Sequence, residues 1–188
     1  MGIVKWLIEK EMIDKEDKEL YEYAMYSITI SVVPLFLFLL ISFLLGYLKE
    51  SFFIVLPFMI LRKFAGGFHA NSVIKCFVFS NVLLFLGLYV VAQCKSLVWI
   101  FYLLAIATVL IYFLSPIDNE QYELGFKEKK RLKRICLVIL LFCYIGIIIF
   151  YNLGYIKLST SISVGIILVA LLQVIFIFSK IFRKREKL

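Results

Sequence analysis

Apolar residues in this chain come in runs too long for the core of a soluble domain. Residues 24–48 read "AMYSITISVVPLFLFLLISFLLGYL", and similar runs occupy 77–93, 97–114, 135–153 and 160–179. A bilayer core of about 30 Å needs about 20 helical residues to cross it. Backbone polar groups in hydrocarbon must be satisfied within the segment, which favours helices. The runs therefore predict an all-α polytopic membrane protein. Hydrophobic residues make up 63% of the chain, against about half in soluble domains. At 188 residues there is room for about six spans.

One apolar segment is harder to read. Residues 51–61, "SFFIVLPFMIL", rise only about 16 Å as a helix, and Pro57 interrupts them. The expectation is either a short, distorted second span or a re-entrant element. A kink is expected at Pro34 in the first span, and an antiparallel hairpin at 77–93 and 97–114. Residues 115–134 form the longest interior polar loop, opening "SPIDNEQYELGF" and closing "KEKKRLKR". Residues 1–22 place Trp6, Ile13 and Leu20 at heptad spacing, which predicts an amphipathic interfacial helix. Acids and bases alternate there, so no cleavable signal peptide is expected. No repeat or low-complexity linker divides the chain.

The cations orient this arrangement. With six spans and an internal N terminus, all of the 21 lysines and arginines except Lys49, Lys95 and Lys157 fall on the cytoplasmic side, as the positive-inside rule requires. If 51–61 re-enters instead, the N-terminal lysines move outside and Lys49 moves inside, and the cytoplasmic excess survives. Nucleic acid is excluded as a partner despite the net charge of +8, because the cations sit in short clusters between apolar runs. Cys76, Cys94, Cys136 and Cys143 lie in or beside apolar runs without a CxxC pair. That pattern fits buried packing, with no disulfide framework or zinc site.

The segment "RKFAGGFHANSVIKC", residues 62–76, departs from this pattern. It holds the only histidine, His69, and Cys76 seven residues later. A thiol nucleophile needs a base about 3 Å away. Seven residues of straight helix return to the same face but rise about 10 Å. A reacting pair therefore requires the helix to begin between the two. Gly66 and Gly67 loosen the backbone before His69, and Asn71 and Ser72 are favourable N-caps. Cys76 would then lie near a helix N terminus, where free amides, the dipole and the cations Arg62, Lys63 and Lys75 favour thiolate and an acyl oxyanion. On spacing alone, a polar cap at 69 and a packing cysteine at 76 explain the residues better than a reacting pair, because the motif is not specific. Asp118 either orients His69 or serves as a turn residue beside Pro116. A small transporter or peptide exporter is the alternative class, although no intramembrane charge or paired broken helices mark a permeation path.

Arg62, "GGFH" and a cysteine seven residues after the histidine resemble the motif of the AgrB (accessory gene regulator protein B) family. Its members are membrane-embedded cysteine endopeptidases of bacterial quorum-sensing systems. The "SPIDN" loop followed by cations is similar as well. The resemblance implies that the chain is one integral membrane peptidase domain over 1–188. In it, 1–22 is the interfacial helix, 24–181 the transmembrane bundle and 182–188 a basic cytoplasmic tail. It implies Cys76 as nucleophile and His69 as base, with Arg62, Gly66, Gly67, Ser72 and Asp118 supporting them. The implied substrate is an AgrD-like precursor peptide, cleaved on the cytoplasmic side of the bacterial cell membrane through an acyl-thioester and cyclised to a thiolactone or lactone. No cofactor is implied, and a homodimer is. Lys129, Lys130 and Arg131 either bind the precursor's acidic tail or serve orientation and anionic-lipid binding. Both topologies place Cys76 inside. Membrane-impermeant thiol reagents should label it in inside-out vesicles and not in intact cells; the reverse result overturns the topology.

Overall fold

The computed structural model describes residues 2–10, 17–65, 73–93, 97–117 and 125–185. Side chains are described for most of these, but not for 2, 3, 5, 9, 20, 23–31, 73–78, 97, 180 or 182–185. Among the described residues the chain is all-helical. The helices are α1 (Gly2–Glu9), α2 (Lys18–Leu44), α3 (Leu48–Ala65), α4 (Val73–Gln93), α5 (Leu97–Leu114), α6 (Phe126–Asn152) and α7 (Ile156–Arg185). Two segments, Phe126–Asn152 and Ile156–Ser179, are long and apolar enough to cross a membrane by length and composition.

Two turns share one chemical device. Leu45-Gly46-Tyr47 and Leu153-Gly154-Tyr155 follow α2 and α6. Gly46 and Gly154 have φ of 79° and 80°, a region that costs L-residues steric energy. After α2, the Gly46 N–H donates to the Phe43 carbonyl and the Tyr47 N–H to the Ser42 carbonyl. After α6, Gly154 donates to Tyr151 and Tyr155 to Phe150. Both are Schellman closures, which satisfy the last carbonyls of a helix. A Cβ at either glycine would meet nothing within 4 Å, so backbone conformation, not space, selects glycine.

Helix α7 is the centre of the bundle and packs on α3, α4, α5 and α6. Residues 159–166 are buried without interruption, as expected of a helix surrounded by other helices. Small residues make this possible. Thr160, Ser161 and Ser163 return their hydroxyl protons to the carbonyls four residues earlier, so these buried donors are satisfied within the helix. The closest approach is at Gly165. A Cβ there would stand 2.5 Å from the Ile54 carbonyl oxygen and 2.6 Å from Pro57 Cγ. The apolar window of α7 is 67% buried and that of α6 only 22%. Phe142 and Ile148 of α6, with Trp99 and Phe113 of α5, face outward.

Several expectations change. Residues 51–61 are the middle of an 18-residue helix that runs through Pro57. It rises about 27 Å, so the segment is neither short nor turned back at the proline. Its ends carry Lys49, Glu50, Arg62 and Lys63, and those charges hid its length. Pro34 likewise lies inside continuous α2. Helices α4 and α5 each pack on α7 more closely than on each other, so the hairpin is not the main contact of either. Residues 18–22 belong to α2, while α1 docks on α2 with Val4 buried and Trp6 exposed. "KEKKRLKR" forms the first turns of α6, not the end of a loop. Ile13 lies outside the described residues.

The Gly165 contact yields a paired expectation. Gly165→Ala drives a methyl group into a backbone carbonyl, an overpacking cost of about 1–3 kcal/mol. Gly146→Ala meets only Ile162 Cδ1 at 3.4 Å and should cost well under 1 kcal/mol. Thermal unfolding in detergent should lower the midpoint for the first variant only.

Candidate active site

Arg62, in the last turn of α3, bridges to α4. Its Nη1 donates to Ser80 Oγ at 3.2 Å, and its guanidinium lies 5.7 Å from the centre of the Phe58 ring. Ser80 is buried and Arg62 half-buried. Position 76 precedes Ser80 by one turn, and α4 begins at Val73. Cys76 is thus the fourth residue of the helix, one residue beyond the backbone amides that lack an intrahelical acceptor. The side chain of Cys76 is outside the described set. Gly66, Gly67, His69, Ser72 and Asp118 also lie outside the described residues, as does the expected capping at Asn71 and Ser72.

The points from which these segments leave the bundle are described. Gln173 of α7 is completely buried. Its Nε2 donates to the Ala65 carbonyl at 3.1 Å and to Ser115 Oγ at 2.7 Å. The Ile117 N–H donates to the same Ala65 carbonyl at 3.1 Å. Ala65 ends α3 and directly precedes Gly66, and Ile117 directly precedes Asp118. A terminal helix carbonyl, normally left to water or a cap, therefore receives protons from two other parts of the chain. The sequence reading passed over Gln173. The available signal was an uncharged polar residue inside an otherwise apolar run, "VALLQVIFIF".

At the same end of the bundle, α6 starts with six cations. Gly125 precedes the helix and its N–H donates to Glu128 Oε2 at 3.3 Å, a contact that also sets a carboxylate near the positive helix end. Lys127, Lys130, Arg131 and Arg134 are exposed, while Lys129 and Lys133 are half-buried. Lys133 Nζ sits 4.3 Å from the centre of the Tyr112 ring, joining α6 to α5. Cations in the first turn oppose the helix dipole, by about 0.3–1 kcal/mol each. Arg62 and Lys63, in the last turn of α3, are favoured by that dipole instead. Of the six α6 cations, Lys127 and Lys129 lie in the first turn and run against the dipole, with Glu128 between them offsetting part of that cost. On α6 itself, Cys136 is buried and Cys143 half-buried as free thiols, in agreement with a packing role.

The chain matches the model of the accessory gene regulator B family (AgrB) over residues 2–177. It is 30% identical to protein FsrB of Enterococcus faecalis over 152 residues, 73% of this chain and 62% of that protein. A putative AgrB-like protein of Clostridium perfringens strain SM101 is 30% identical over 176 residues, 82% of this chain and 78% of its own. A putative AgrB-like protein 1 of C. perfringens strain 13 is 32% identical over 75 residues, 40% of each chain. The alignments thus cover less than two thirds of FsrB and of the strain 13 protein. No solved structure matches.

Proposed function

This chain belongs to the accessory gene regulator B family, and from that premise we propose that it is a membrane cysteine endopeptidase that matures a quorum-sensing peptide. The observation that carries the reading is the family match over residues 2–177, which encloses Arg62, "GGFH" and Cys76 with the cysteine in the first turn of α4. Helices α2 to α7 act as six spans, and the site faces the cytoplasm of the bacterial cell. The two long apolar helices, the outward apolar side chains of α5 and α6 and the charge asymmetry support this placement.

In this mechanism the His69 imidazole takes the Cys76 thiol proton. The thiolate adds to the scissile carbonyl of an AgrD-like precursor, and the amides at the start of α4 hold the resulting oxyanion. The peptide C–N bond breaks, the imidazolium returns the proton to the departing amine, and the acidic tail leaves. The N-terminal part remains as a thioester on Cys76. A thiol or hydroxyl of the precursor then attacks that carbonyl, closing a thiolactone or lactone ring and regenerating the Cys76 thiol. Thioester exchange with a thiol is nearly balanced, while water would end the cycle as a linear acid. A site at a membrane boundary limits that loss.

The α6 cations give the departing tail an electrostatic partner. Arg62 acts as a strut: its bond to Ser80 holds the end of α3 against the helix that carries the nucleophile.

Two experiments address this reading. Mixing purified protein with the precursor should give an acyl adduct on Cys76 by mass spectrometry. Cys76→Ser and His69→Ala should each lower turnover at least 100-fold; retained turnover in either refutes its role. Reversing Lys129, Lys130 and Arg131 to Glu should raise the apparent KM about tenfold, or about 1.4 kcal/mol, at low salt, and flatten its rise with ionic strength. An unchanged KM assigns the cluster to lipid.

A further inference from the structure

Gln173 is the one completely buried side chain among the described residues that joins three separate parts of the chain by hydrogen bonds. It lies in the core of α7, in the run 171–178 that is otherwise Leu, Val, Ile and Phe. An amide at such a place costs about 1–3 kcal/mol unless it is bonded. Both Nε2 protons are used, one on the Ala65 carbonyl and one on Ser115 Oγ. Its Oε1 has no partner. A purely packing position would be filled better by Leu or Met. The amide is therefore retained for what its two N–H groups hold.

What they hold is specific. The Ala65 carbonyl is the last described backbone group before the segment containing His69. Ser115 is two residues before Ile117, whose own N–H closes onto the same carbonyl and which leads directly to Asp118. On the far side, the segment containing His69 enters α4, which Arg62 ties to α3 through Ser80. The entry point is thus set by Gln173, the exit by Arg62.

We propose that Gln173 is a positioning residue for the Cys76–His69 pair: it fixes the common origin of the segments that carry His69 and Asp118, and it touches neither substrate nor nucleophile. The assignment rests on the dyad reading above. If the origin drifts, the imidazole no longer meets the thiol at hydrogen-bond distance, and Cys76 loses the stabilisation of its thiolate. Ser115 plays a lesser part, because without its hydroxyl the Gln173 bond to Ala65 remains.

The test needs no substrate. Iodoacetamide alkylation of Cys76 is followed against pH in purified full-length protein, with mass spectrometry of the peptide that contains it. Wild-type protein should react with a midpoint below the ordinary thiol value of about 8.5. Gln173→Met, close in volume and unable to donate, should react at least tenfold more slowly at pH 7, with its midpoint moved up towards that value. Ser115→Ala should stay within threefold of wild type. If folded Gln173→Met keeps the wild-type profile, the proposal is wrong. Should that variant not fold, Gln173→Leu decides instead: it is apolar and cannot donate to the Ala65 carbonyl, and a wild-type profile there is equally fatal. The dyad fails in a different way, with wild-type Cys76 reacting as a free thiol and His69→Ala changing nothing. A profile that responds to His69→Ala but not to Gln173→Met overturns the Gln173 assignment alone.

Discussion

Gly165 lies flush against the backbone of α3. That contact sets the axial register of the two helices that pack most closely on each other among the described residues. From Ile54, opposite Gly165, α3 advances about 16 Å to Ala65, while α7 advances about 12 Å from Gly165 to Gln173. The difference is close to the reach of an extended glutamine side chain. Slide α7 by one residue and the amide no longer meets the Ala65 carbonyl. The polar junction at the end of the bundle therefore depends on an apolar contact two to three turns away.

The placement of charge follows the same logic. Inside the bundle, most polar groups are small, and several are satisfied locally: the Thr160, Ser161 and Ser163 hydroxyls bond to their own helix, and Thr108 bonds to the Tyr144 hydroxyl at 2.7 Å, whereas Ser42, Ser51 and Ser159 Oγ have no partner. Formal charges appear at the helix ends. Arg62 is an intermediate case, with its head on Ser80 and the Phe58 ring beside it, so that its cost of partial burial is offset on the helix that bears Cys76. Lys127 and Lys129 of α6 are different, because they occupy the wrong end of a dipole, with Glu128 between them offsetting part of that cost.

Much of this was legible in the chain itself. The run 97–114 coincides with α5, the run 77–93 lies within α4, and the run 135–153 lies within α6 except for its last residue, the C-cap, because apolar length is a local property. The motif at 62–76 was visible for the same reason: a lone histidine, paired glycines and a cysteine stand out against hydrocarbon. The misreadings have a common origin. Proline and flanking charge were taken as helix breakers at 51–61 and 127–134, whereas tertiary contact carries a helix through Pro57, and basic residues extend α6 towards its N terminus. The "LGY" triplets that stop α2 and α6 were a readable stop signal that the apolar run masked.

The sequence by itself determined the all-helical class, most of the long segments and the motif with Cys76 and His69, since each depends on neighbours in the chain. Only the tertiary structure decided that α7 is the centre, that α3 lies against it at Gly165, and that Ala65, Ser115 and Gln173 meet. The physical reason is that an apolar helix in a run of apolar helices carries no label for its partner. Shape chooses the partner, through one missing Cβ, and shape exists only after the helices have packed.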